Sequence, residues 1–198
     1  ISVGEKGWPY EADQRHGELI VEMLGLDGAN PVGTPGEEEK DEIEQEPELE
    51  GPIATRFRAI AARANYLAMD RIDIQYATKE VCRGMSKPNE KHWRMLKRLG
   101  RYLITQPRMV QHYEWQGVVE ILTVFSDSNW AGCRATGRST SGGVIMKGGH
   151  MIRSWARTQK VVAVSSGEAE LIAMVKAASE GLGVTAMGEE WGMTLKTE

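Results

Sequence analysis

The sequence predicts an α/β chain in which a helical segment precedes a three-stranded antiparallel meander and a helix. Three observations carry that expectation. Between residues 13 and 103 apolar side chains recur at three and four, the helical period. From Val118 they give way to short β-branched runs separated by glycine-rich turns, and after Val161 the helical period returns. Consecutive strands followed by a helix favour a layered α/β arrangement over a sandwich.

Residues 13–25, DQRHGELIVEMLG, place Leu19, Ile20, Met23 and Leu24 on one helical face, with Gly25 as the stop. The following LDGANPVGTPG is turn chemistry. A second helix is expected over 54–69, where Phe57, Ile60, Ala61, Ala64, Leu67 and Ala68 make the buried stripe and Arg56, Arg58 and Arg63 lie off it. A third is expected at about 74–85, capped by Asp73 and burying Ala77, Val81 and Met85. Pro88-Asn89-Glu90 signals a fourth, with a cap and an acid in its first turn. Trp93, Leu96, Leu99, Gly100 and Leu103 form its apolar face, and it ends before Pro107.

VVEILTVFSD (118–127) and GVIMKGG (143–149) read as strands, GRSTSGG (137–143) as the polar turn between them, and HMIRSWAR (150–157) as a third strand after a Gly-Gly hairpin turn. VVAVSS (161–166) leads into a helix from about 166 to 180 with Leu171, Met174, Val175 and Ala178 as its buried stripe. Gly181 and Gly183 interrupt it, and a last amphipathic stretch reaches Trp191.

The 198 residues, 41% of them hydrophobic, suffice for one ordinary domain or two small ones with a real core. Neither a run of eighteen apolar residues nor a signal peptide is present, so no membrane partner is expected and the expected location is cytoplasmic, with nuclear entry left open. Cys82 and Cys133 have no paired spacing and the histidines are scattered, which argues against disulfide and zinc frameworks. The net charge of −4 hides an asymmetry: residues 1–55 carry 3 basic and 15 acidic groups, and residues 56–198 carry 21 and 13. The acids concentrate in EEEKDEIEQEP (37–47), which reads as a solvated linker. The first residue, Ile1, and the abrupt finish at Glu198 suggest a piece of a longer chain.

Lys91, Arg94, Lys97, Arg98 and Arg101 recur at three and four on the side of the fourth helix opposite its apolar face, with Glu90 the lone acid. Such a ridge is either a solvated face or a phosphate-contact surface. Asp127 stands where an apolar strand meets a polar loop, and Glu170 in the first turn of the last helix. Two carboxylates on adjacent elements can share a magnesium ion with open positions for phosphate and water. The same residues also suit a turn former and a helix-dipole partner, and both readings stay open. Ser165 and Glu168 fit an S-x-x-E capping box, which gives Glu168 a structural task and leaves Glu170, about 200° around the helix, as the better metal ligand.

FSDSNWAG (125–132), GRSTSGGVI (137–145) and VVAVSSGEAELIAM (161–174), in that order and spacing, resemble the ribonuclease H domain of copia-type retrotransposon Pol polyproteins, whose usual forms read SDSDWAG, RKSTSG and ALSSTEAEYMAL. Residues 64–103 resemble the connection that follows reverse transcriptase in those polyproteins, and NPVGTPG (30–36) its thumb-side ending. The resemblance implies an RNase H-like fold, incomplete at its C-terminal end. It divides the chain into a thumb-region end (1–36), the acidic linker (37–52), a helical connection (53–116) and the first part of the RNase H-like domain (117–198).

The implied activity is magnesium-dependent hydrolysis of the RNA strand of an RNA–DNA hybrid, by two ions about 4 Å apart. Of the family's four acids the first maps to Asp127 and the second to Glu170. The third belongs to a strand expected to begin just where the sequence stops, and the fourth lies farther on, so the chain is expected to be inactive by itself. Asn129 replaces a second aspartate common in the family. Arg138, Ser139 and Thr140 match the family's polar turn, as substrate contacts or as turn residues alone. The implied partners are the hybrid, or other nucleic acid, and the rest of the Pol polyprotein. Two other readings remain: a non-catalytic nucleic-acid-binding remnant, and a decayed segment with no biochemical role.

Overall fold

The computed structural model describes residues 3–37 and 46–198; most of the acidic stretch expected to be a linker, residues 38–45, lies outside the described residues. In chain order the elements are β1 (Gly7–Glu11), α1 (Gln14–Leu24), α2 (Gly51–Leu67), α3 (Gln75–Cys82), α4 (Glu90–Thr105), β2 (Val110–Glu114), β3 (Ile121–Cys133), β4 (Arg138–Lys147), β5 (His150–Thr158), α5 (Ser166–Glu190) and β6 (Lys196–Thr197). The chain divides into two units, Tyr10–Gln111 and Ile1–Pro9 with His112–Glu198.

In the first unit α1 to α4 enclose one core. Asp13 caps α1 by accepting from the Arg15 amide at 3.0 Å, and Gly25 closes it in the left-handed conformation at φ 64°. The expected stripe of α2 is buried throughout, and it packs with Ile20 and Leu24 of α1 and with Leu96, Leu99 and Leu103 of α4. Segments read from the sequence as separate, 1–36 and 53–116, thus contribute to a single core. Residues 46–52 are not solvated linker. Leu49 is buried, its amide donates to the Pro88 carbonyl at 2.8 Å, the Glu90 amide donates to the Pro47 carbonyl at 3.1 Å, and α2 begins at Gly51.

The third helix is shorter than expected, a single 3₁₀ turn (Ile72–Ile74) followed by α3. Asp73 does not cap it. Arg71 is almost fully buried, and its guanidinium needs a counter-charge; Asp73 supplies one at 2.7 Å and also accepts from the Tyr102 hydroxyl at 3.0 Å. α4 opens with reciprocal bonds between Asn89 and His92, at 3.1 and 3.3 Å.

In the second unit the meander is present, and a parallel strand extends it. The four-stranded sheet runs β5-β4-β3-β6, with β4 antiparallel to both neighbours and β6 parallel to β3. A separate two-stranded sheet, β1 with β2, was not anticipated from the sequence; there Trp8 stacks on Tyr113 with ring centroids 4.6 Å apart.

The expected polar turn at 137–143 is instead the first half of β4, and the chain reverses at Arg134–Gly137, where Gly137 takes φ 64°. Polar residues can sit inside here because they satisfy one another. Ser139 Oγ accepts from the Ala131 amide at 3.1 Å, and Gln159 Nε2 donates to Ser141 Oγ at 3.0 Å.

α5 departs from expectation twice. It continues unbroken through Gly181 and Gly183 to Glu190. The face it lays on the sheet is Ala169, Ala173, Ala177 and Gly181, while Leu171, Met174 and Val175 stand about 60% exposed. Small residues let the helix approach the strands closely. A Cβ at Gly181 would lie 2.6 Å from Thr197 Cγ2 and 3.0 Å from Val124 Cγ2.

Candidate functional site

The candidate site lies where the first turn of α5 meets the end of β3. Ser165 Oγ accepts from the Glu168 amide at 3.1 Å and so caps the helix, while the Glu168 carboxylate reaches one residue past the cap to accept from the Val164 amide at 2.7 Å; the reciprocal bond of a capping box is not made, but Glu168 is occupied. Gln159 ties the helix start to β4 by donating from Nε2 to the Ala169 carbonyl at 2.9 Å while its backbone amide donates to the Ser139 carbonyl at 2.8 Å. This fixes the next residue, Glu170, over the sheet. Its Oε1 accepts from Ser128 Oγ at 2.9 Å.

Asp127 is on the other side. Leu122 and Val124 belong to the apolar cluster beneath α5, with Ile145, Trp155, Ala177 and Leu195. The even positions of β3 therefore face the helix, and the ladder stays regular through Asn129, so Ser126 and Ser128 continue that row. Asp127 falls in the odd row with Phe125, which is 56% exposed on the opposite face. The structure brings Ser128 to Glu170 and does not bring Asp127 there. Ser128 was the residue missed, and its signal was available: counting by twos from Leu122 and Val124 arrives at 128.

Two magnesium ions do not fit the residues present. Among the described residues no three His, Cys, Asp or Glu side chains are grouped as a metal site would require. At the helix start Glu168 is taken by the Val164 amide, and Glu170 already holds the Ser128 hydroxyl.

Arg138 opens β4 opposite Cys133 and is exposed. In the other unit, the basic ridge of α4 is heavily partnered. Arg94 forms a two-pronged pair with Glu46, one prong measuring 2.7 Å, and Arg98 pairs with Glu37 and donates to Thr34 Oγ1 at 2.8 Å. Arg101 Nε donates to the Asn30 carbonyl at 2.6 Å, and Lys97 lies over the Trp93 ring, 5.7 Å from its centroid. Lys91 sits at the start of the same helix. The hydrogen bonds from Arg94 hold the Glu46 carboxyl below the usual carboxylate range. The ridge exists as expected, but it is not simply a solvated face. Among the described residues no helix is long and apolar enough to cross a membrane.

The chain is 34% identical to the retrovirus-related Pol polyprotein from transposon RE2 of Arabidopsis thaliana over 146 residues, 73% of this chain and 10% of that protein. It is also 34% identical to the corresponding polyprotein of transposon RE1 from the same plant over 141 residues, 71% of this chain and 10% of that protein. An uncharacterized mitochondrial protein of Arabidopsis thaliana is 31% identical over 173 residues, 86% of this chain and 70% of its own length. The chain spans about a tenth of the length of the Pol polyproteins it matches. No family profile matches it, and no solved structure does.

Proposed function

The chain belongs to the copia-type retrotransposon Pol polyproteins, and we propose that its β3–β6 region is the opening part of an RNase H-type domain that does not cut by itself. The observation that supports this reading is β6. After the meander and α5 the chain returns to pair in parallel with β3, at Ile121↔Lys196 and Leu122↔Thr197. That strand is the one on which the family's third acid is expected. The two acids that map onto the family's set lie on opposite faces of the sheet. These residues alone do not carry out hydrolysis. Holding two divalent cations about 4 Å apart against their mutual repulsion takes more carboxylates than Glu170 and one neighbour provide.

The substrate class of the complete domain is an RNA–DNA hybrid, and Glu170 is the acid this region would contribute to it; Asp127 answers to the family's first acid by its motif, on the other face of β3. A second reading, nucleic-acid binding without cleavage, is favoured by the α4 ridge, where arginine forks of the kind that grip phosphate already grip a carboxylate.

The test compares magnesium-dependent cleavage of a labelled RNA–DNA hybrid by several proteins. They are this chain, a chimera in which the matching continuation of the RE2 polyprotein follows Glu198, and that chimera carrying Glu170→Gln. The chimera is expected to cut, and the other two are not. Cleavage by this chain at a rate near the chimera's would end the proposal.

A further inference from the structure

We infer that Glu37 and Glu46 are an internal competitor for phosphate on the basic ridge of α4. The inference rests on the nucleic-acid reading of that ridge. An arginine fork accepts a carboxylate and a phosphodiester with the same pair of parallel N–H donors, so only one of the two can be held at a time. Arg94 gives both of its terminal nitrogens to Glu46, 48 residues away, and Arg98 gives a terminal nitrogen to Glu37. The charges that would meet a nucleic-acid backbone are thereby met by the chain's own acids.

Three features distinguish this from ordinary surface pairing. The two acids come from either end of one acidic stretch, and they engage successive positions, 94 and 98, one helical turn apart on a single face. Arg98 is incompletely satisfied by the arrangement: its Nε is enclosed and has no acceptor among the described residues, although Thr34 and Glu37 take its terminal nitrogens. The pairs are also displaceable. One member of each pair is open to water, Arg94 at 60% beside Glu46 at 23% and Glu37 at 67% beside Arg98 at 23%, and pairs reached by water on one side are exchangeable. Such pairs do not block a polyanion. They subtract from its affinity by making it exchange one partner for another.

The consequence is measurable as a gain of binding on removal of negative charge at two positions. The test is titration of the full chain into a labelled RNA–DNA hybrid, followed by fluorescence anisotropy over a range of salt. Glu37→Gln and Glu46→Gln should each tighten binding by up to about fivefold, the scale of one exposed pair. Each should also steepen the salt dependence by up to ~0.9 for the arginine released. Glu48→Gln is the control: it removes the same charge, but its partner is Lys87, 3.9 Å away and outside α4, so it should change binding little.

Unchanged affinity and slope in Glu37→Gln and Glu46→Gln would overturn the inference, as would an equal gain in Glu48→Gln, which would make the effect one of net charge. Arg94→Ala with Arg98→Ala separates the two levels. If that double variant weakens binding while the glutamine variants change nothing, the ridge binds nucleic acid and only the competitor role fails. If the double variant binds as tightly as the parent, the reading of the ridge itself fails. Thermal melting of each variant confirms that it is folded.

Discussion

Ser128 donates its hydroxyl to Glu170 across 2.9 Å, while Asp127, its neighbour in sequence, occupies the other face of the same strand. The contact joins β3 to the N-terminal part of α5. Asp127 therefore lacks the structural role that Ser128 has.

That difference is testable by stability. Ser128→Ala removes a partly buried hydrogen bond to Glu170 and should cost about 1 kcal/mol in urea unfolding. Asp127→Asn, on an exposed strand position, should stay within about 0.5 kcal/mol of the parent. An equal loss in both variants would mean that the two side chains share a face after all.

Gly143 sits under the indole of Trp155, and a Cβ there would come within 2.1 Å of ring carbon Cζ2. Gly143→Ala should destabilise by about 1–3 kcal/mol and change the near-ultraviolet circular dichroism of the tryptophans. The adjacent Gly142→Ala is the comparison, since its Cβ would meet nothing nearer than the Trp155 carbonyl at 3.9 Å. If the two variants melt together, the indole is not packed on Gly143.

α5 offers a second pair of glycines. Gly181→Ala drives a methyl into Thr197 and Val124, whereas Gly183 has nothing within 4 Å of its would-be Cβ. Gly183→Ala should therefore stabilise by about 0.5–1 kcal/mol through helix propensity alone. Gly181→Ala should lower stability and weaken the β6 pairing, read as faster amide exchange at Lys196 and Glu198. Stabilisation by both substitutions would place the glycine contact elsewhere.

The hydrogen bonds that Arg108 gives Glu11 lower the Glu11 carboxyl from an ordinary 4.5 to about 2, with Gln14 contributing a further bond. A carboxylate depressed in the folded state stabilises above its unfolded pKa and loses that contribution as pH falls through the folded value. The Glu11–Arg108 contribution is thus complete above about 4.5 and gone near 2. Glu11→Gln should flatten the stability profile of the parent across that window. An identical acid limb in parent and variant would show that the pair carries no linkage.

The helical unit was the most legible part of the sequence. Phe57, Ile60, Ala61, Ala64 and Leu67 are buried as their spacing predicted, because α2 is apolar on one side only. α5 defeated the same method. Both of its faces are apolar, and periodicity alone cannot say which one packs; the sheet selected Ala169, Ala173, Ala177 and Gly181 for close approach over the bulkier Leu171, Met174 and Val175. Ser139, Thr140 and Ser141 read as a turn because they are polar, yet they are buried in β4, where Gln159 and the Ala131 amide partner the two serines. The family motif drew attention to Asp127, while the alternation set by Leu122 and Val124 put Ser128 beside Glu170. A linear motif does not record strand parity.

The parallel pairing of β6 also implies an order of events in time. The meander closes through hairpins between neighbours in sequence, so little chain entropy is lost before contacts form. The bond from Thr123 to Glu198 spans 75 residues and closes only after α5 has crossed the sheet. On that ground β3, β4 and β5 are expected to pair before β6 docks. At equilibrium the same asymmetry runs backwards: β6, two residues long and at the edge of the four-stranded sheet, is expected to open before the meander does. Local opening of β6 exposes the Val124 and Gly181 surface without disturbing the meander, which makes this strand an exchangeable cover on a sheet that stands without it.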